Sequence, residues 1–359
     1  MIPQIEPWIN EDERDAVTEV ITSTWLTESN KTAEFETRFK ELTGAAFARA
    51  MCNGTLSLFA SLKILGIGPK DEVIIPNLTF IATGNAVLLA GATPVVADVD
   101  KKTFTLSPEM LEAGITDRTK AIIPVHLYGQ SADMDAIMRI ARIRGLSVIE
   151  DAAQGVGVTF AGRHVGTFGD CGCFSFYGNK TITTGEGGMI ITQSAAYDAA
   201  IYALKNHGRS QRGTFIHEQI GYNFSLNELA AAIGISQLNK LDQIRTKKKA
   251  LRQAYEKYLA GVREIEFTGS DERCVPVHWF INILVEDPAA LQKYLHQKGI
   301  GSRRFFYPIN KQPCYNLPGD FPNSEYAYEH GLSLPSAAML DMDIVQHICQ
   351  EIKNFYGRT

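Results

Sequence analysis

Lys180 stands at the end of the run Phe174-Ser175-Phe176-Tyr177-Gly178-Asn179-Lys180, and Thr181-Ile182-Thr183-Thr184-Gly185-Glu186-Gly187-Gly188 follows it. A strand pattern delivers a serine, a lysine lands in a glycine- and threonine-rich turn, and another strand pattern begins. A lysine amine held beside a sheet end can form a Schiff base with an aldehyde or ketone. A surface lysine in a β-loop-β connection fits the same window. About thirty residues earlier, Val148-Ile149-Glu150-Asp151-Ala152-Ala153-Gln154 places an acid at the end of an apolar strand. Asp151 there reads either as a carboxylate facing a ligand or as a helix N-cap. Earlier still, Cys52-Asn53-Gly54-Thr55-Leu56-Ser57 joins a strand to a helix. The N–H groups at a helix start bind phosphate, and a glycine lets it come close. A plain helix cap fits this window too.

Taken in order, the three windows supply a phosphate turn, an acid and a lysine at one edge of one inferred sheet. Pyridoxal phosphate requires that set, because its aldehyde takes a lysine and its ring nitrogen a carboxylate. Asp151 is positioned for the ring nitrogen. A GxG at Gly66-Ile67-Gly68 precedes a strand and reads as a turn, and no GxGxxG opens a helix after the first strand. An NAD-dependent Rossmann enzyme is therefore disfavoured.

The elements that must hold these residues are legible. Strands are expected at 46–51, 73–76, 94–98, 121–126, 147–151, 172–177 and 188–192, with helices such as 56–65, 81–89 and 133–144 between them. Most of these strands are short, β-branched and apolar on both sides, as buried strands are. The alternation predicts an α/β sheet covered by helices on both faces. Asp98, His126 and Asp151 end strands, and ligands in such sheets bind beyond the carboxyl ends. Past residue 225 the pattern changes to two amphipathic helices at 226–241 and 247–259, a strand at 277–285, and helices at 288–298 and 341–355. The expected division is a large α/β domain over 1–235 and a smaller α+β domain over 236–359.

The 359 residues carry 45% hydrophobic and 21% charged side chains and a net charge of −5, with a pI of about 5.9. That balance disfavours a nucleic-acid surface or a polybasic membrane patch. The basic run 245–249 reads as a solvated helix face. No segment approaches the roughly 20 apolar residues of a membrane helix, and Met1–Asn10 lacks a signal-peptide pattern. The six cysteines include no CxxC, and there is no HExxH. A cytoplasmic enzyme with free thiols and no metal is expected.

The motifs NGTLSL (53–58), PNLTFIAT (76–83), PVHLYGQ (124–130), IEDAAQ (149–154), FSFYGNKTITTGEGGM (174–189), GYNFSLNELAAAIG (221–234) and GIGSRRFFYPINKQP (299–313) resemble the DegT/StrS nucleotide-sugar aminotransferases, fold-type-I pyridoxal phosphate enzymes. Within that family, GNKTITTGEGG and STWLTE (23–28) look most like GDP-perosamine synthases. The resemblance implies a mostly parallel mixed sheet with helices on both faces. It implies Lys180 as Schiff-base lysine and proton carrier, Asp151 on the pyridine nitrogen, and Gln154 at the ring hydroxyl. Phe80 would stack on the ring, and Gly54, Thr55 and Ser175 would hold the phosphate. Asn223 would reach the cofactor of a second subunit, making the active unit a homodimer. Trp25, Glu186 and Tyr307 would lie on the sugar side. The implied partners are L-glutamate and a 4-keto-6-deoxy sugar nucleotide, GDP-4-keto-6-deoxymannose in the narrow reading and a UDP- or dTDP-linked sugar in the wider one. Gln154 stands where perosamine-type enzymes often have glutamate, and Ser225 where arginine is common. Related sugar dehydratases have histidine at the lysine position, so Lys180 favours transamination. A non-catalytic sugar-nucleotide-binding protein is the remaining alternative.

Overall fold

The computed structural model describes residues 1–211, 213 and 215–358. Seven strands form the main sheet: β1 Phe47–Met51, β2 Glu72–Pro76, β3 Thr93–Ala97, β4 Thr119–Ile122, β5 Ser147–Asp151, β6 Cys171–Ser175 and β7 Gly188–Thr192. Their order is β1-β7-β6-β5-β4-β2-β3. Only β7 runs against its neighbours; the pairs from β6 through β5, β4 and β2 to β3 are parallel. The expected sheet is thus present, with strand ends moved by a few residues.

Alternation along the strands feeds two cores. Val148 and Phe174 pack on one face with Phe35, Phe39 and Phe176. Ile149 and Cys173 pack on the other with Leu58, Ile75 and Ile190. Side chains one residue apart leave a strand on opposite faces, so this sheet is buried on both sides.

Two helices before β1, Glu11–Ser23 and Asn30–Thr43, lie against a long helix, Glu228–Tyr258. The buried Glu228 carboxylate accepts from the N–H groups of Ser29, Lys31 and Thr32 and from the Thr32 hydroxyl, all within 2.9 Å. It thereby satisfies the orphan donors at the start of the second helix. The break expected between 241 and 247 does not occur. The polar stretch there hides Ile244, which is buried, and contains no proline or glycine to end the helix.

Residues beyond that helix build a second sheet: β8 Glu266–Phe267, β9 Ile281–Leu284, β10 Arg303–Arg304 and β11 Gly331–Leu334, in the order β8-β9-β11-β10 and antiparallel throughout. Its core joins Leu251 and Tyr255 of the long helix to Ile281, Ile283, Leu332, Leu334 and Ile348. The strand expected over 277–285 is shorter than read. Val277 and Trp279 donate instead to the carbonyls of Gly129 (2.9 Å) and Tyr128 (3.2 Å), in the turn after β4. Gly129 has φ +86°, and a Cβ there would fall 1.9 Å from the Val277 oxygen, so only glycine permits this approach. All six cysteines are unpaired thiols. Among the described residues, no helix is long and apolar enough to cross a membrane.

Candidate active site

Register brings the chemistry together. Met51 and Ser175 both pair with Gly188, and Asp151 pairs with Cys173. The carboxyl ends of β1, β5 and β6 therefore lie side by side, with Phe80 beyond the end of β2. A cavity of about 450 Å³ opens there, lined by Gly54, Thr55, Phe80, Asp151, Gln154, Ser175, Lys180 and Glu186, all expected from sequence. Asn53, Tyr177, Asn179, Arg303 and Phe306 also line it.

One end of the cavity is a helix start. Asn53 caps the helix Gly54–Ile64 by accepting from Leu56 N–H at 2.9 Å. Among the described residues, the Gly54 and Thr55 N–H groups make no hydrogen bond. A Cβ on Gly54 would lie 2.8 Å from the Ser175 Cβ, so glycine is needed for the helix start to sit against the serine. Two uncommitted N–H groups, a hydroxyl and the helix dipole suit a phosphate dianion.

Asp151 is buried. One carboxylate oxygen accepts from the Thr83 hydroxyl at 2.8 Å, the other from Ala153 N–H at 3.1 Å. Burial raises its pKa, and these bonds and the Lys180 charge only partly offset that. A protonated ring nitrogen is the kind of partner that reverses such a penalty. Its neighbour Glu150 leaves the strand on the opposite side. It accepts from the N–H groups of Gly166, Phe168 and Gly169 at 2.6–2.8 Å and meets His126 Nε2 at 2.9 Å. His126 Nδ1 accepts from Ala132 N–H, which puts the ring proton of a neutral imidazole on Nε2, facing Glu150.

Lys180 is half-buried. Its Nζ lies 4.0 Å from the centroid of the Trp279 ring. The Trp279 indole N–H donates to the carbonyl of Asn179 at 2.6 Å, so one buried side chain touches both the lysine head and the backbone before it. Among the described residues, no acceptor takes a hydrogen bond from Nζ. Burial brings its pKa down to about 8; Asp151 opposes that shift and Arg303 adds to it. Gln154 accepts from Tyr128 N–H at 2.6 Å, which leaves its amide NH₂ for the cavity. Tyr128, at φ +56°, stacks on Phe306 (5.4 Å, 9°), and Phe306 lies 5.8 Å from Phe80.

Three expected residues stand apart. Trp25 and Asn223 are exposed, and Tyr307 packs its ring on Tyr328 (4.9 Å). None of them lines the cavity. Of the strand-end residues, Asp98 serves the fold. It accepts from Asn323 and Ser324 N–H, both at 2.9 Å, and so caps the helix Pro322–His330 from a distance. Sequence reasoning missed Thr83, Trp279 and Arg303. Thr83 and Arg303 sit inside motifs quoted above, whereas Trp279 gave no local signal. Among the described residues, no group of three or more His, Cys, Asp or Glu side chains forms a metal site.

Comparison with known proteins identifies the family and the fold. The DegT/DnrJ/EryC1/StrS aminotransferase family model matches residues 7–353. GDP-perosamine synthase of Escherichia coli O157:H7 is 38% identical over 99% of both chains. S. venezuelae DesV, solved in complex with a ketimine intermediate, superposes with a TM-score of 0.93 at 32% identity, over 97% of this chain and 95% of that one. Aminotransferase TlmJ from Streptoalloteichus hindustanus gives 0.96 at 29% identity over 99% of both chains. With the family model spanning nearly the whole sequence, the chain belongs to the DegT/DnrJ/EryC1/StrS aminotransferase family.

Proposed function

We propose that this enzyme moves an amino group from L-glutamate to a 4-keto-6-deoxy sugar nucleotide, with GDP-4-keto-6-deoxymannose as acceptor and GDP-perosamine as product. The observation that carries the reading is Lys180, an amine without a protein acceptor, in the same cavity as the buried Asp151. Similarity to the Escherichia coli O157:H7 GDP-perosamine synthase supports the choice of sugar nucleotide.

Pyridoxal phosphate, when bound, supplies an aldehyde for the lysine amine and a ring that takes up the electron pair of a breaking C–H bond. The protein's residues do the rest. The Gly54 and Thr55 N–H groups and the Ser175 hydroxyl would hold the phosphate. Asp151 would keep a proton on the ring nitrogen. Gln154 would donate its NH₂ to the ring oxygen, and Phe80 would lie against the ring. Lys180 Nζ would carry a proton to and from the reacting carbon of the donor. A pKa near 8 suits that task near neutral pH, and such transfer contributes about 10²–10⁴-fold. The half-reactions share one cavity, so donor product leaves before the sugar binds. Glu186, exposed on the cavity rim, faces the sugar.

The active unit in this reading is a homodimer. Phe215, Ile216 and Ile220 are exposed apolar side chains, and Asn223, close by in sequence, does not line its own chain's cavity. In a dimer it would serve the partner's phosphate. Sedimentation of a monomer with full activity would sink that part.

The test is an absorption spectrum of purified protein reconstituted with pyridoxal phosphate, before and after L-glutamate. A yellow band that bleaches with glutamate and returns with the GDP-keto sugar is expected. No band would remove the enzyme reading. Return only with a UDP- or dTDP-linked keto sugar would correct the acceptor.

A further inference from the structure

The chain leaving β2 brings two buried hydroxyls to Asp151. Thr79 lies just beyond the strand, and Thr83 lies in the first turn of the helix Ala82–Leu89. Thr83 Oγ1 is 2.8 Å from Asp151 Oδ2, 3.1 Å from Thr79 Oγ1 and 3.3 Å from the Phe80 carbonyl oxygen. A hydroxyl has one proton to give and two lone pairs to offer, so Thr83 cannot donate to all three. The charge on Asp151 decides. An ionised carboxylate only accepts, and the Thr83 proton then points to Oδ2. A protonated Asp151 donates to Thr83, whose own proton then turns to the Phe80 carbonyl. Thr79 can donate to the remaining lone pair of Thr83 in both arrangements, so no buried hydroxyl is left without a partner in either. Helical threonines often bond back to a carbonyl of the preceding turn, which accounts for the Phe80 contact and not for the shorter one to Asp151. The other carboxylate oxygen meets Ala153 N–H at 3.1 Å, a backbone donor that cannot become an acceptor. Lys180, His126 and Cys173 are the titratable neighbours of Asp151. Among the described residues, none of them is hydrogen-bonded to its carboxylate.

We propose that Thr83 is the positioning residue behind Asp151: its hydroxyl proton swings between the Phe80 carbonyl and Oδ2, and in the second position it holds Asp151 ionised for the protonated pyridine nitrogen of the cofactor. This rests on the pyridoxal phosphate reading above. With no cation alongside, burial favours the neutral acid. Beside a protonated ring nitrogen the anion is favoured, and Oδ2 then needs a donor. A fixed acceptor at that oxygen would keep the acid neutral, and a second fixed donor would leave the neutral acid without a place for its proton. A hydroxyl serves both states. A hydrogen bond to an ion is roughly twice as strong as one between neutral groups, so the swing favours the form with the proton on the ring. Loss of the Thr83 hydroxyl therefore moves the shared proton from the ring nitrogen toward Asp151.

The experiment compares wild type, T83V and T83S. Valine keeps the shape and removes the hydroxyl, and serine restores it. Each full-length protein, freed of cofactor, is titrated with pyridoxal phosphate, then loaded with pyridoxal phosphate carrying nitrogen-15 in the ring. The nitrogen shift reads whether the ring holds its proton, which a purely structural role for Thr83 would not alter. In T83V the affinity should fall about tenfold, the difference between a charged and a neutral bond, and the nitrogen signal should move toward its unprotonated position. T83S should return both to within about threefold of wild type. A T83V nitrogen signal identical to that of wild type overturns the proposal, whatever the affinity. So does a T83S protein that behaves like T83V. If wild type takes up no pyridoxal phosphate, this proposal and the cofactor reading fall together.

Discussion

Lys180 and Lys248 touch the same tryptophan, and only Lys248 is held by fixed acceptors among the described residues. Lys248, buried on the long helix, donates to the Trp279 carbonyl at 3.0 Å and to the Ser336 carbonyl. Lys180 meets the ring of Trp279 and has no acceptor among the described residues. Burial lowers the pKa of both, Lys248 to about 7 and Lys180 to about 8. A depressed pKa therefore does not by itself mark an available amine. What separates them is that the fixed carbonyls occupy one ammonium and leave the other available. The adjacent acids of β5 repeat the lesson: Glu150 is saturated by backbone donors, whereas Asp151 keeps its face to the cavity.

The sharpest break in the lysine comparison is K180A against K248M. K180A should lose turnover entirely, and borohydride treatment of the loaded protein should add no cofactor mass. K248M should retain turnover within about tenfold and reveal itself in stability. The folded Lys248 holds its proton less tightly than the unfolded chain does, between pH of about 7 and the ordinary value near 10.5. The unfolded state binds more protons in that window, so this group's contribution to stability rises with pH there. Wild type should gain on K248M by up to about 1.4 kcal/mol per pH unit, measured by urea unfolding from pH 7 to 10. A flat difference would mean that Lys248 is charged throughout.

The acid pair gives the next effect. In the reading proposed above, D151N should fold normally and lose about 10²–10³-fold in turnover, because an amide cannot hold a proton on the ring nitrogen as a carboxylate does. E150Q should do the reverse, with turnover within about threefold and stability down by about 2–3 kcal/mol, because bonds to a charged acceptor are the strong ones. Equal loss of activity in both would erase the distinction between the faces of β5.

W279F gives the smallest effect and probes the shared residue. Phenylalanine keeps a ring under Lys180 and removes the indole N–H that holds Asn179. The lost bond is worth about 1 kcal/mol, so kcat should fall about fivefold with KM for the donor unchanged. An unaltered kcat would show that the ring face alone positions the lysine.

Much of this site was legible because its signals are local. β-Branched runs marked most of the seven strands, and glycine-rich turns and a strand-end acid marked Gly54, Lys180 and Asp151. What escaped depends on partners far along the chain. Trp279 reaches Asn179 across 100 residues. Asp98 has the same strand-end signature as Asp151 and yet caps a helix 225 residues later. Nothing local distinguishes those fates, because the deciding groups are backbone N–H donors placed by the rest of the fold. The uninterrupted helix was misread for a related reason: polar residues at 242–246 look like a linker until packing buries Ile244 among them.

That helix has a thermodynamic consequence. Its first half contributes Ala230, Ala231, Ile235, Leu241 and Ile244 to the core under the main sheet, and its second half contributes Leu251 and Tyr255 to the core of the small sheet. Helix formation is cooperative along the chain, and this helix contains no proline at which to divide into segments. Its one glycine, Gly234, is packed against the Phe35 ring. Neither core can lose its stretch of helix without fraying the stretch that the other needs, so the two sheets share a single melting unit.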